Sequence, residues 1–108
     1  MRDDRQRCLD MLEAIDKILQ KTRGIAEGQA DEMLQVWVIH HLQIIGEAAF
    51  KVSEEFKKTH HQIAWSKIIG TRHILVHGYF QTDTRLLWQT VEEDLPVLKE
   101  QLIDILNQ

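Results

Sequence analysis

Very little in this sequence can interrupt a helix: one proline, Pro96, and five glycines are spread over 108 residues. The single cysteine, Cys8, has no internal partner. No disulfide can therefore staple the fold, and stability has to come from apolar burial. Cys8 falls on an apolar helical stripe and is expected to be a buried small hydrophobe. No apolar run approaches the length that spans a bilayer, and no apolar signal segment stands behind Met1-Arg2-Asp3-Asp4. A cytoplasmic protein without membrane contact is expected. A surplus of basic charge is also missing. The formal net charge is −4, whereas proteins that hold nucleic acid through phosphates usually carry a basic surface. What the chain does have is a hydrophobic fraction of 44%. In a chain of this length that implies one domain, 1–108, able to bury a core of several helices.

Apolar residues recur at helical spacing in four stretches. Cys8, Met11, Leu12, Ile15, Ile18 and Leu19 alternate with Asp10, Glu13, Asp16, Lys17 and Gln20, which predicts an amphipathic helix over about 3–22 with Gly24 as terminator. A longer helix is expected over about 30–58, with Leu34, Val38, Leu42, Ile45, Ala49, Val52 and Phe56 on one stripe. Trp37, Ile39 and Ile44 add apolar surface beyond what one face needs, so this helix is central or pairs with another subunit. A turn at Thr59-His60-His61-Gln62 leads to a helix from about Ser66 to His77, broken by Gly78. Asp83 is a candidate N-cap for the last helix, whose inner stripe is Leu87, Val91, Leu95, Leu98, Leu102 and Leu106. Pro96 lies inside that stripe and should kink or restart it. The architecture expected is all-α, a four-to-five-helix up-and-down bundle.

The chemistry is concentrated in Arg72-His73-Ile74-Leu75-Val76-His77-Gly78-Tyr79. Arginine offers a permanently charged fork of donors matched to phosphate oxygens, and histidine can act as base in one step and acid in the next. Together they point to phosphoryl transfer on a polyanion. His73 and His77 stand four apart, a spacing that also suits a metal, but no nearby carboxylate completes the helical ligand pair, and no metal is assigned. His40-His41 and His60-His61 read as structural or surface residues.

Arg72, His73, His77 and Tyr79 resemble the Arg-x4-His-x-Tyr pattern of the HEPN superfamily, in which a polar residue follows the arginine. His73 departs mildly, standing where asparagine is commoner. The similarity extends to Asp10-Met11-Leu12-Glu13-Ala14-Ile15, to Ile44-Ile45-Gly46-Glu47-Ala48, to Trp65, and to Phe80, Asp83 and Trp88. In this order they look like the HepT branch, toxin partners of minimal nucleotidyltransferase antitoxins. The resemblance implies a homodimer and an endoribonuclease that needs no metal or other cofactor. In that reading His77 moves the proton of a ribose 2′-hydroxyl or of the leaving 5′-oxygen, and Arg72 stabilises charge on phosphorus. His73 and Glu47 would be supporting residues, Glu47 by orienting Arg72. It also implies an antitoxin that spends ATP to adenylylate Tyr79.

Residues five apart are about 140° round a regular helix. Arg72 and His77 therefore need either a helix that loosens at Gly78 or a second copy facing the first across a groove. Lys67 and Lys51 join Arg72 as candidates for a locally positive groove. The alternative is a noncatalytic helical partner that presents Tyr79 or a nucleotide to a nucleotidyltransferase. Cleavage of RNA by the purified chain separates the two.

Overall fold

The structure, a computed structural model, describes residues 2–78 and 83–108, with Arg72 and Val76 described by their backbone alone. Among the described residues six α-helices follow in order: α1 (Asp4–Thr22), α2 (Glu32–Lys51), α3 (Glu54–Thr59), α4 (Trp65–Val76), α5 (Thr84–Gln89) and α6 (Leu95–Leu106). A 3-10 turn at Glu27–Gln29 precedes α2, and a five-residue π turn at Thr90–Asp94 joins α5 to α6. Among the described residues there is no strand. No helix of these residues is long and apolar enough to cross a membrane.

The up-and-down order follows from contacts between helix ends. The start of α1 meets the end of α2 through Asp4 and Ser53, and the end of α6 through a bond from the Arg5 guanidinium to the Leu106 carbonyl at 3.0 Å. Midway along the second pair, Lys99 bridges to Asp16 at 2.8 Å. Both neighbours of α1 therefore run antiparallel to it. α4 in turn packs along α2. The core between these helices is made of the residues the periodicity marks: Cys8, Met11, Ile15, Ile18, Val38, Leu42, Ala49, Leu87 and Leu102 are buried. Each large apolar side chain so enclosed contributes about 1.5–3 kcal/mol. Indole donors tie down the loops: Trp88 donates to the Ile25 carbonyl at 2.9 Å and Trp65 to the His60 carbonyl at 3.0 Å. Among the described residues no buried side-chain nitrogen or oxygen lacks a partner.

Most helix ends fall where the sequence puts them. Gly24 and Gly78 adopt φ of +75° and +69° after α1 and α4, the left-handed conformation glycine reaches without strain. Asp83 caps α5, accepting from the amides of Arg85 and Leu86. Pro96 lies in the first turn of α6 and the turn before it widens to π. That is the restart expected where proline removes a donor and crowds the turn behind it.

The long second helix is corrected. Instead of running to 58 it ends at Lys51, Val52 turns extended with ψ of 141°, and a separate α3 begins. Ser53 causes the break in two ways. Its hydroxyl oxygen accepts the Phe56 amide at 3.2 Å, a helix cap, while its own N–H and O–H donate to Asp4 at 2.8 and 2.6 Å. Partial burial pushes the Asp4 carboxyl up, but the two Ser53 bonds, with Arg7 and Lys57 nearby, outweigh it and hold the pKa below the ordinary 3.8. The Cys8 thiol is pushed up to about 11, first by burial and then by the Asp4 charge, so it stays a neutral packing group.

Because the folded Asp4 carboxyl titrates below 3.8, its contribution is complete above that value and is lost as pH falls through the folded one. Asp4→Ala is expected to lower stability by about 1 kcal/mol at neutral pH. Urea titrations of the two proteins should show that gap closing as the pH is taken below 3.8.

Candidate functional site

α4 carries the motif, and its three sides meet different surroundings. Trp65 is buried, anchoring the start of the helix. Ala64, Lys67, Ile68, Thr71 and Ile74 line a groove. Ser66, Gly70, His73 and His77 are exposed and follow one another at four- and three-residue steps, forming a solvent-facing stripe. Gly70 faces open solvent, since a Cβ built there would meet nothing within 4 Å.

On this stripe the two histidines come together. Their ring centroids are 4.3 Å apart with planes tilted by 59°. His77 is the residue at which α4 stops, with φ −86° and ψ 0° and its amide donating to the His73 carbonyl at 3.1 Å. Gly78 then turns the chain away, its amide donating to the Leu75 carbonyl at 3.1 Å. The helix thus ends at the catalytic candidate, with the left-handed Gly78 directly after it. Arg72 lies within α4; its side chain, and Tyr79 with Phe80, lie outside what the structure describes.

Glu47 is exposed on α2, where it accepts a hydrogen bond from the Gln43 amide at 3.3 Å. It edges a groove between α1 and α2 of about 310 Å³ that also holds Arg2, Arg7, Lys17 and Lys51 beside Asp10 and Glu13. Several of these charges are spent on one another, Arg2 on Asp10 at 2.6 Å and Lys17 on Glu13 at 3.2 Å. Of the candidates for a positive groove, Lys67 and Lys51 do not share one, and the Arg72 side chain lies outside what the structure describes. Lys51 lies in the α1–α2 groove, and Lys67 lies in the groove beside α4, bridged to Asp94 at 3.0 Å.

Of the other histidines, read from the sequence as structural or surface residues, His40 and His61 are exposed and His41 and His60 are half-buried. His41 lies over Trp37 with centroids 4.1 Å apart and its Nδ1 2.9 Å from the Trp37 carbonyl, and His60 lies against Phe56 at 4.3 Å. Among the described residues no cluster of three or more His, Cys, Asp or Glu side chains is placed to hold a metal.

The groove beside α4 has no counterpart in the sequence reading. It encloses about 470 Å³ between α4, α2 and the α5–α6 segment, with Leu42 and Ile45 on its α2 side, Ile68 and Ile74 on α4, and Leu86 and Leu98 opposite. Two polar clasps cross it, Lys67 to Asp94 and the Gln101 amide to the Gln62 carbonyl at 2.9 Å. One sequence signal does point to it. The pairs Ile68-Ile69 and Ile74-Leu75 give α4 more apolar breadth than contact with a single helix requires.

A family model described as ribonuclease HepT-like matches residues 11–105. The chain is 42% identical over 92 residues to a protein of Thermococcus cleftensis named probable ribonuclease HepT, covering 83% of this chain and 84% of that one. It is 33% identical over 103 residues to a provisionally named RNase of Methanocaldococcus jannaschii, covering 94% of each. A provisionally named RNase of Caldanaerobacter subterraneus is 30% identical over 100 residues, with 91% of this chain and 89% of that one covered. No solved structure matches the chain.

Proposed function

The chain belongs to the ribonuclease HepT-like family, and from that premise we propose that it is a metal-independent endoribonuclease, the toxin of a two-component system, acting through Arg72 and His77. The observation that carries this reading is the end of α4: His77 stands exposed where the helix stops, on the same open stripe as His73. A phosphodiester can reach an imidazole placed there without displacing packed side chains. His77 takes the proton of a ribose 2′-hydroxyl; the oxygen attacks phosphorus, and the bond to the 5′-oxygen breaks with return of a proton to that oxygen. The products are a 2′,3′-cyclic phosphate and a 5′-hydroxyl. Arg72 stabilises the charge gathering on the phosphoryl oxygens. His73, in ring contact with His77, fixes its orientation, and Glu47 remains a candidate for orienting Arg72.

His77→Ala and Arg72→Ala are each expected to lower RNA cleavage by about 100 to 10,000-fold. For His77→Ala the fold should remain within about 0.5 kcal/mol of the parent, since the side chain is exposed. Cleavage by the parent should persist in EDTA. Mapped 2′,3′-cyclic ends would support the mechanism, and undiminished cleavage by a folded His77→Ala variant would end it.

The active form in this reading is a homodimer. Met33, Val36 and Ile44 are 81%, 52% and 36% exposed and share the outer side of α2. Two such stripes packed together would remove them from water and bring the two α4 helices, each resting on its own α2, toward one groove. Val36→Asp combined with Ile44→Asp is expected to halve the mass seen by light scattering at micromolar concentration. A parent that is already monomeric there would remove the dimer.

The proposed antitoxin is a nucleotidyltransferase encoded beside the toxin. It would transfer an adenylyl group to Tyr79: the phenol oxygen attacks the α-phosphorus of ATP, pyrophosphate leaves and the phenolic proton is released. The new phosphodiester, two residues from His77, would pair with Arg72 in place of the substrate phosphate and block the site by charge and bulk. Mass spectrometry after coexpression should find adenylyl additions at Tyr79 that vanish in Tyr79→Phe. Inhibition that persists with no modification would leave complex formation as the mechanism.

A further inference from the structure

His73 and His77 share one turn of helix as well as one open stripe. The His77 amide donates to the His73 carbonyl at 3.1 Å, so the last turn of α4 is closed and holds the two residues in helical register. Both side chains are exposed, and their ring centroids stand 4.3 Å apart. An imidazole nitrogen binds a transition metal at about 2.0–2.1 Å, with its ring centroid about 1.2 Å farther out. Two rings on positions at right angles round one cation therefore have centroids about 4.5 Å apart, and on tetrahedral positions about 5.2 Å. The observed separation fits the right-angled arrangement.

We propose that His73 and His77 form a two-nitrogen chelate for copper(II) or nickel(II), with water completing the coordination, and that its occupancy stops the proton transfer assigned to His77. Imidazole suits both metals, and right-angled coordination is the geometry they favour. The outer torsion of histidine is broad, so exposed rings can aim one nitrogen each at the cation without movement of the helix. The other nitrogen of each ring can keep a hydrogen-bond partner. The pair lies in the last turn of α4, where the helix dipole presents its negative end. Nor does net charge oppose a cation: the 13 basic and 17 acidic residues divide into 11 of each over residues 1–82, and into 2 basic against 6 acidic over 83–108. Among the described residues no third His, Cys, Asp or Glu joins the pair. Resident catalytic metals commonly have three protein ligands, so a cation held by two is exchangeable. The ring pair His40–His41, at 5.3 Å, is a poorer chelate, because adjacent residues leave a helix in different directions and His41 is held against Trp37. Coordination occupies the lone pair with which His77 would accept the ribose proton. That consequence rests on the nuclease reading; the chelate itself does not.

Calorimetric titration of the full chain with copper(II), nickel(II), zinc(II) and magnesium chlorides reads the site without RNA. Copper(II) is expected to bind most tightly and zinc(II) at least about tenfold more weakly, while magnesium, which takes oxygen ligands, should give no heat of binding. His73→Ala and His77→Ala should each weaken copper(II) at least about tenfold. His40→Ala, also at an exposed position, should leave it unchanged. Circular dichroism should be the same for all three variants. Equal affinity in the parent and His77→Ala overturns the chelate, as does loss of binding in His40→Ala. RNA cleavage by the parent should fall with the copper(II) midpoint that calorimetry gives and return when EDTA is added. Undiminished cleavage with the site filled overturns the inhibition. A parent that cuts no RNA removes the nuclease reading and the inhibition with it, while the calorimetry still decides the chelate.

Discussion

The packing of α2 between α1 and α4 is the constraint on which the molecule depends. Val38, Leu42, Ile45 and Ala49 of α2 are buried, and α1, which they face on one side, is held in turn by α6. Among the described residues α4 has no comparable second support. It rests on α2 and is joined across a groove to Asp94 by Lys67, while the Gln101–Gln62 bond spans the same groove from the turn before α4. Exposed ion pairs such as Lys67–Asp94 contribute about 0–1 kcal/mol each, far less than the apolar contact on the other flank. The helix that bears Arg72, His73 and His77 is thus the least enclosed of the long helices, and its exposed stripe is open for the same reason.

The fold was legible wherever the physics is local. Period, caps and terminators act within one turn of the residues that encode them, which is why α1, α4, Asp83, Gly24 and Gly78 fall as the sequence indicates. The second helix fails that test. Val52 and Phe56 continue its apolar stripe perfectly well, and the local sign of a break is a single residue, the helix cap Ser53. The cap is fixed in place by Asp4, 49 residues away, whose carboxylate takes both donors of Ser53. A polar bond of that range leaves no periodic trace. Pro96 sits between the two cases: its disruption is local and expected, while the form it takes, a π turn at Thr90–Asp94 with Val91 and Leu95 buried on either side, has no sign in the sequence.

The candidate site divides in the same way. The chemical identity of Arg72, His73 and His77 could be read directly, and so could the end of the helix at Gly78. The grouping of charges could not. Lys51 and Lys67 both looked available to a polyanion, yet one lies among the mixed charges of the α1–α2 groove and the other is engaged by a carboxylate 27 residues on. Likewise the groove beside α4 has walls from three distant stretches of chain, so its apolar lining resembles ordinary core until the helices are placed.

The separation of charge along the chain has a kinetic meaning of its own. Seen from farther than a Debye length, about 8–10 Å at ordinary salt, the protein is a weak anion whose field is largely screened. Closer in, a polyanion meets a body neutral over its first 82 residues and acidic over its last 26. The leading interaction is then a torque that turns the C-terminal flank away and leaves the neutral remainder, including the exposed side of α4, facing the approaching strand. Net acidity of this kind sorts orientations of encounter more than it forbids encounter.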